Sequence, residues 1–206
     1  MRARHLLFSA IAGCCSVFFA GQVTAAQEDV PYCHRYMDFN FPDYMALWNY
    51  DDPQTTATTF FAMLDMAAVS VDKTFFSELL SQIARTYVMR NDFTQAEYYL
   101  AQAKAFLGNA EPRAEVYYMR EKARMLAAQH DREGAKTLLV EAWTLAEKER
   151  YDQLVLETAL DLADDTWVNL PEQEKQQWLE KARQTAATTQ DERTKRWMLE
   201  NPSRLQ

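Results

Sequence analysis

The sequence predicts an all-α protein, a stack of antiparallel helix pairs that repeats at a step of about 40 residues. Three observations predict it. From residue 54 on, apolar residues recur at helical spacing, as in Phe76, Leu79, Leu80, Ile83, Ala84 and Tyr87. The 206 residues include only 4 Gly and 6 Pro, too few turn formers for many short strands. Finally, apolar columns return in one phase. Ala57, Ala96, Ala135 and Lys175 form one column, and Phe61, Leu100, Leu139 and Leu179 keep the same steps. So do Leu64, Ala103, Ala142 and Ala182, and in the alternate helices Ala84, Ala123 and Ala163. Self-similarity at this period marks stacked helical hairpins.

The N-terminal stretch 1–26 stands apart from the repeat. Arg2 and Arg4 precede an uncharged apolar run, Leu6 to Ala20, and small residues follow up to Ala25 and Ala26. This pattern predicts a secretory signal peptide over residues 1–26. A membrane-spanning helix needs about 20 apolar residues, more than this run supplies. Ile11-Ala12-Gly13-Cys14 offers an alternative, in which Cys14 is lipidated and anchors the chain to a membrane. Cleavage near residue 26 leaves 20 basic against 30 acidic residues, a mature charge of −10. Such a chain repels phosphate backbones over most of its surface, so general nucleic-acid binding is not expected. Cys33 would be the only cysteine left, which excludes a disulfide framework.

Residues 27–53 form an aromatic-rich cap. Tyr32, Tyr36, Phe39, Phe41, Tyr44, Trp48 and Tyr50 crowd into it, suited to cover the apolar face of a terminal repeat; a docking segment is the other reading. The helical repeats follow over 54–188. Asn91-Asp92 breaks the first pattern, and Asp92 or Thr94 caps the next helix. Gly108-Asn109 reads as a stop and Pro112 as a new first turn. Further helices are expected from Arg113 to Gln129, Asp131 to Lys148, Tyr151 to Trp167 and Pro171 to Thr188. Residues 189–206 are expected to hold a capping helix or a truncated repeat, stopping at Asn201-Pro202. The alanine columns have a physical reason. Close helix crossings, about 8–10 Å between axes, need small side chains at the contact.

These columns resemble the tetratricopeptide repeat (TPR) superfamily. Leu80, Ile83, Ala84, Tyr87, Ala96, Leu100 and Ala103 match its motif in the first full unit. Met119, Ala123, Leu126, Ala135, Leu139 and Ala142 match in the second, and Leu162, Ala163, Leu179 and Ala182 in the third. Lys122, Thr166 and Lys175 depart from it, as do the signature Trp, Gly and Pro positions. The resemblance implies a right-handed superhelical solenoid whose first helices line a concave groove. Carried over by column, it puts Arg85, Tyr117, Arg120, Arg124 and Trp167 on that groove as peptide-binding residues. Arg120 and Arg124 share a helix face, and guanidinium forks suit a peptide carboxylate. Alternatively the arginines pair with Glu78, Glu121, Glu157 or Asp164 and tie repeats together.

Catalytic signatures are sparse. The mature chain keeps two glycines, Gly108 and Gly134, so no phosphate-cradling loop can be built. Cys33-His34 is adjacent in sequence and lacks further ligands, and Asp161, Asp164 and Asp165 read as a solvated acidic face. The expected protein is a non-enzymatic scaffold of the periplasm or cell envelope that binds a protein or peptide, with no cofactor and no metal. Mass spectrometry of the exported chain should find a mature start at or near Gln27. An acylated Cys14 would instead support the lipid-anchored structural protein.

Overall fold

The computed structural model describes residues 43–200. The expected signal peptide, Cys14, the Cys33-His34 pair, the aromatics before residue 43 and residues 201–206 lie outside the described residues. Within them the protein is all-α, with eight helices and no strand. They are α1 (Pro53–Ala68), α2 (Thr74–Met89), α3 (Phe93–Phe106), α4 (Pro112–Ala128), α5 (Arg132–Lys148), α6 (Asp152–Ala163), α7 (Glu172–Thr188) and α8 (Glu192–Glu200). Short 3-10 turns stand at Tyr44–Leu47 and Leu107–Asn109. No helix among the described residues is long and apolar enough to cross a membrane.

Local chemistry sets the helix starts. Asp52, Asp92 and Asp131 each accept a backbone N–H from the first turn of α1, α3 and α5, at 3.0, 3.1 and 2.9 Å. Gly134 allows the last of these caps, because a Cβ there would lie 2.5 Å from the Asp131 carboxylate. Three helix ends need a left-handed residue. Asn91, His130 and Arg150 supply it with φ of 58°, 69° and 60°. After each, the next N–H bonds back across the final turn, Asp92 to Tyr87, Asp131 to Leu126 and Tyr151 to Ala146. The expected glycine stop at Gly108 works differently: the chain leaves α3 through the 3-10 turn, and no glycine takes a positive φ among the described residues.

The helices pack as consecutive pairs, α2 with α3, α4 with α5 and α6 with α7, and α1 packs on α2. The repeat columns are the contacts. Ala57, Ala84, Ala96, Ala103, Ala123, Ala135, Leu139 and Ala142 are fully buried, and Leu100 and Ala182 nearly so. The core is serial rather than central. One cluster joins Phe60, Met63, Phe75, Leu79 and Ile83; the next joins Ala84, Val88, Ala96, Leu100 and Met125 across two hairpins. The last joins Leu139, Leu156, Leu162, Trp178 and Ala182, and Trp197 and Met198 of α8 pack against it. No single hairpin buries its own apolar face, so each depends on its neighbour.

Two features shape the polar face of the stack. The helix expected to reach Trp167 ends at Ala163, so Asp164, Trp167 and Val168 belong to the α6–α7 connection. Helices α2 and α4 pack closely along their backbones, whereas α4 and α6 meet chiefly through side chains. On the apolar side, Leu139 is fully buried in the cluster that joins the second and third hairpins. Leu139→Ala is expected to lower unfolding stability by about 2–5 kcal/mol in urea titration, the range for a buried leucine that leaves a cavity.

Candidate functional site

The polar face of α2, α4 and α6 is where binding residues were expected. Its side chains are mostly satisfied by one another. Arg120 reaches from α4 to α6, donating from Nη1 to Glu157 at 2.9 Å and from Nη2 to Asp161 at 2.7 Å. Arg124 donates to Glu121 at 2.6 Å and to the same Asp161 oxygen at 2.7 Å. Gln82 of α2 donates to Glu121 at 3.2 Å. Arg85 stands 3.9 Å from the other Glu121 oxygen. Arg85, Arg120 and Arg124 thus face Glu121, Glu157 and Asp161, three cations against three carboxylates.

Burial makes these bonds matter. Arg120 and Arg124 are only 2% and 3% exposed. Desolvation alone would pull their proton affinity down, but Asp161 leads a set of neighbouring carboxylates that raises both above the ordinary arginine value. Both side chains are therefore held as cations. An isolated buried charge costs several kcal/mol, so this face tolerates them only as a matched set.

The five residues expected on the groove separate in the structure. Arg120 and Arg124 do not line an open surface, because α6 stands off from α4 and the two guanidinium groups fill the gap. Tyr117 is buried beside Tyr44, with ring centroids 6.3 Å apart. Trp167 lies in the α6–α7 connection, where the Arg124 guanidinium sits 5.3 Å from its ring centroid. Arg85 is partly exposed and packs against Trp48 and Tyr50, 5.0 and 5.2 Å from their centroids. The acidic triplet is also divided. Asp161 belongs to the buried set, Asp164 accepts from the Thr166 N–H and Asp165 pairs with Lys175. Among the described residues no group of three or more His, Cys, Asp or Glu side chains is placed to hold a metal ion.

The chain's own N-terminal segment covers part of this face. Tyr44 is buried, donates its hydroxyl to Glu78 at 2.8 Å, and packs edge-on against Phe60 and Phe75. Its phenol pKa is pushed well up by burial and then by the Glu78 carboxylate, which keeps it a donor. Glu78 also pairs with Arg113 at 2.6 Å. The Trp48 indole donates to Gln82 at 3.1 Å. From the other end of the chain, α8 packs on α6 and α7, and Arg193 comes within 3.8 Å of Asp43.

Between these two coverings lies the open part of the face. It consists of two adjoining recesses of about 280 and 270 Å³, which share Gln153 and Arg193. Arg113, Tyr117, Arg150 and Tyr151 line one; Met45, Tyr50, Arg196 and Trp197 line the other. Arg113, Arg150, Arg193 and Arg196 escape the sequence pattern as a group because they sit in turns, a helix start and the terminal helix rather than in the repeat columns. The buried network did leave a signal in the sequence. Gln82, Glu121 and Asp161 return at the same step of about 40 residues, a polar column in the phase of the apolar ones.

No protein-family model, curated protein or solved structure matches the chain. Asp161 is the shared acceptor that balances two buried guanidinium groups. Asp161→Asn is expected to cost about 3–5 kcal/mol, the range for breaking a buried pair and leaving its partner charge uncompensated. Thermal unfolding followed by circular dichroism would check it, and a loss no larger than that of an exposed pair such as Arg183–Glu180 would contradict it.

Proposed function

We propose that this chain is a non-enzymatic helical-repeat scaffold that binds a protein or peptide in the periplasm or cell envelope. In this reading the helix pairs form a right-handed superhelical, TPR-like stack, and the partner docks on the side lined by α2, α4 and α6. The observation that carries it is the division of that side. Its centre is a closed, charge-balanced network, and its open remainder is a cleft with aromatic and arginine side chains on its walls.

Several features support binding over chemistry. The carboxylates closest to the cleft already serve the fold. Asp152 accepts from the Thr189 hydroxyl at 2.5 Å, and Asp191 accepts from the Thr194 N–H at 2.8 Å at the start of α8. General acid–base work needs a titratable group with a free proton site in reach of a substrate. Aromatic rings and arginines, by contrast, are the residue types that carry most binding energy at interfaces. The groove residues first expected from the resemblance divide accordingly. Arg85 stays at the edge of the covered face, while Tyr117, Arg120, Arg124 and Trp167 act by holding the hairpins in register.

Photo-crosslinking in the native compartment tests the reading. A crosslinking residue at Gln153 or Tyr50, beside the cleft, should give a discrete adduct with another protein, and one at Lys104 on α3 should not. Scattered or absent adducts from every cleft position would count against a dedicated binding scaffold.

A further inference from the structure

We propose that the cleft between the N-terminal segment and α8 takes an acidic, extended peptide, with its carboxylates held by Arg150, Arg193 and Arg196. The inference rests on the scaffold reading above and names its site and its ligand chemistry.

Arg150 ends α5 in the left-handed region, φ 60°, where the Cβ of an L residue is crowded and glycine is not. Asn91 and His130 fill the equivalent cap at two other helix ends, and both are residue types that visit this region readily. Arginine is not. A residue placed against local preference is a pointer to a role elsewhere, and here the Arg150 side chain lines the cleft.

Charge pairing points the same way. Among the described residues neither Arg150 nor Arg196 has a carboxylate within ion-pair distance, and both are exposed. Arg193 comes within 3.8 Å of Asp43, with both side chains about half exposed. Such a pair contributes little and yields readily to a better one. Of the three carboxylates on the cleft walls, Asp43 and Asp191 face Arg193, and all three also accept bonds from other groups. Asp43 accepts from the Met45 N–H, Asp152 from Thr189, and Asp191 from the backbone and hydroxyl of Thr194. Those bonds commit the carboxylates to turns and a helix cap.

The shape of the cleft suits an extended chain. The two recesses meet at Arg193 and Gln153, so a chain crossing both would pass Arg150, Arg193 and Arg196 in turn. Tyr151 lines one recess and Tyr50, stacked on Trp48, lines the other, so both add aromatic surface along the path. The Gln153 amide nitrogen donates to Glu157 at 2.7 Å, and its amide oxygen is the group that can accept a peptide N–H. The rest of the molecule is strongly acidic, 30 acidic residues against 22 basic, so an acidic peptide is repelled elsewhere and directed here.

The test measures fluorescence anisotropy with the mature full chain and a short labelled peptide of Asp, Ser and Leu. A matched peptide with Asn for Asp is the comparison. The Asp peptide should bind about tenfold more tightly than the Asn peptide, as expected for charge-assisted bonds, and salt should weaken it. Arg150→Gly should weaken the Asp peptide about tenfold while raising the melting temperature, since it relieves the left-handed backbone. His130→Gly places glycine at the equivalent cap away from the cleft, so it should raise the melting temperature by less and leave binding unchanged. Arg196→Ala should weaken binding with no change in melting.

Equal binding of the two peptides, or wild-type affinity in Arg150→Gly, overturns the proposal. So does binding of phosphatidylglycerol vesicles, in place of the peptide, that the same substitutions abolish. The outcomes separate the two readings. If a crosslinked envelope partner persists at wild-type yield in the Arg150→Gly, Arg196→Ala double variant, the scaffold stands and the acidic-peptide cleft falls.

Discussion

Asp161 carries two guanidinium groups on one carboxylate oxygen, and much of the molecule depends on that arrangement. The first and second full hairpins meet through the close approach of α2 and α4. At the next junction the inner helices stand apart. Arg120 and Arg124 bridge the gap from α4, and Glu157 and Asp161 meet them from α6. Arginine suits the role because its planar fork bonds several acceptors at once and keeps its charge when buried. Without these bonds the third hairpin would be held to the second mainly by α5 against α6 and by the apolar cluster around Leu139 and Leu156.

The same network decides where the protein can bind anything. A row of buried charges is a specific surface only for the groups that already satisfy it. Tyr44 and Trp48 extend the arrangement outward by bonding to Glu78 and Gln82, so the chain's own segment seals the face over α2. At the far end α8 covers the apolar end of the array with Trp197 and Met198. Both coverings pack on apolar clusters at the two ends of the described helices. The cleft is what remains between the two coverings.

The apolar part of the fold was legible because it is periodic. Leu100 and Leu139 occupy equal positions in successive hairpins and are both buried, while Phe61 and Leu179 in the same column are partly buried. The aspartate caps at Asp92 and Asp131 could be read locally, since a cap acts within its own turn. Trp167 could not be placed this way. Helical spacing continues to it, yet α6 stops at Ala163 and the chain turns through bonds made by Asp164. Nor could Arg120 be assigned to ligand or partner, because its partners lie 37 and 41 residues away and the column rule gives position, not distance.

Sequence alone determined the all-α class, the repeat step and the alanine crossings, because each follows from spacing along one chain. Tertiary structure alone decided which charges are already paired and which remain available. Arg120 and Arg150 look alike as letters. One is enclosed between two helices with three bonds to carboxylates, and the other stands exposed at a strained turn. The physical reason is that an ion pair's strength depends on separation and solvent exposure, both set by how helices distant in sequence come together.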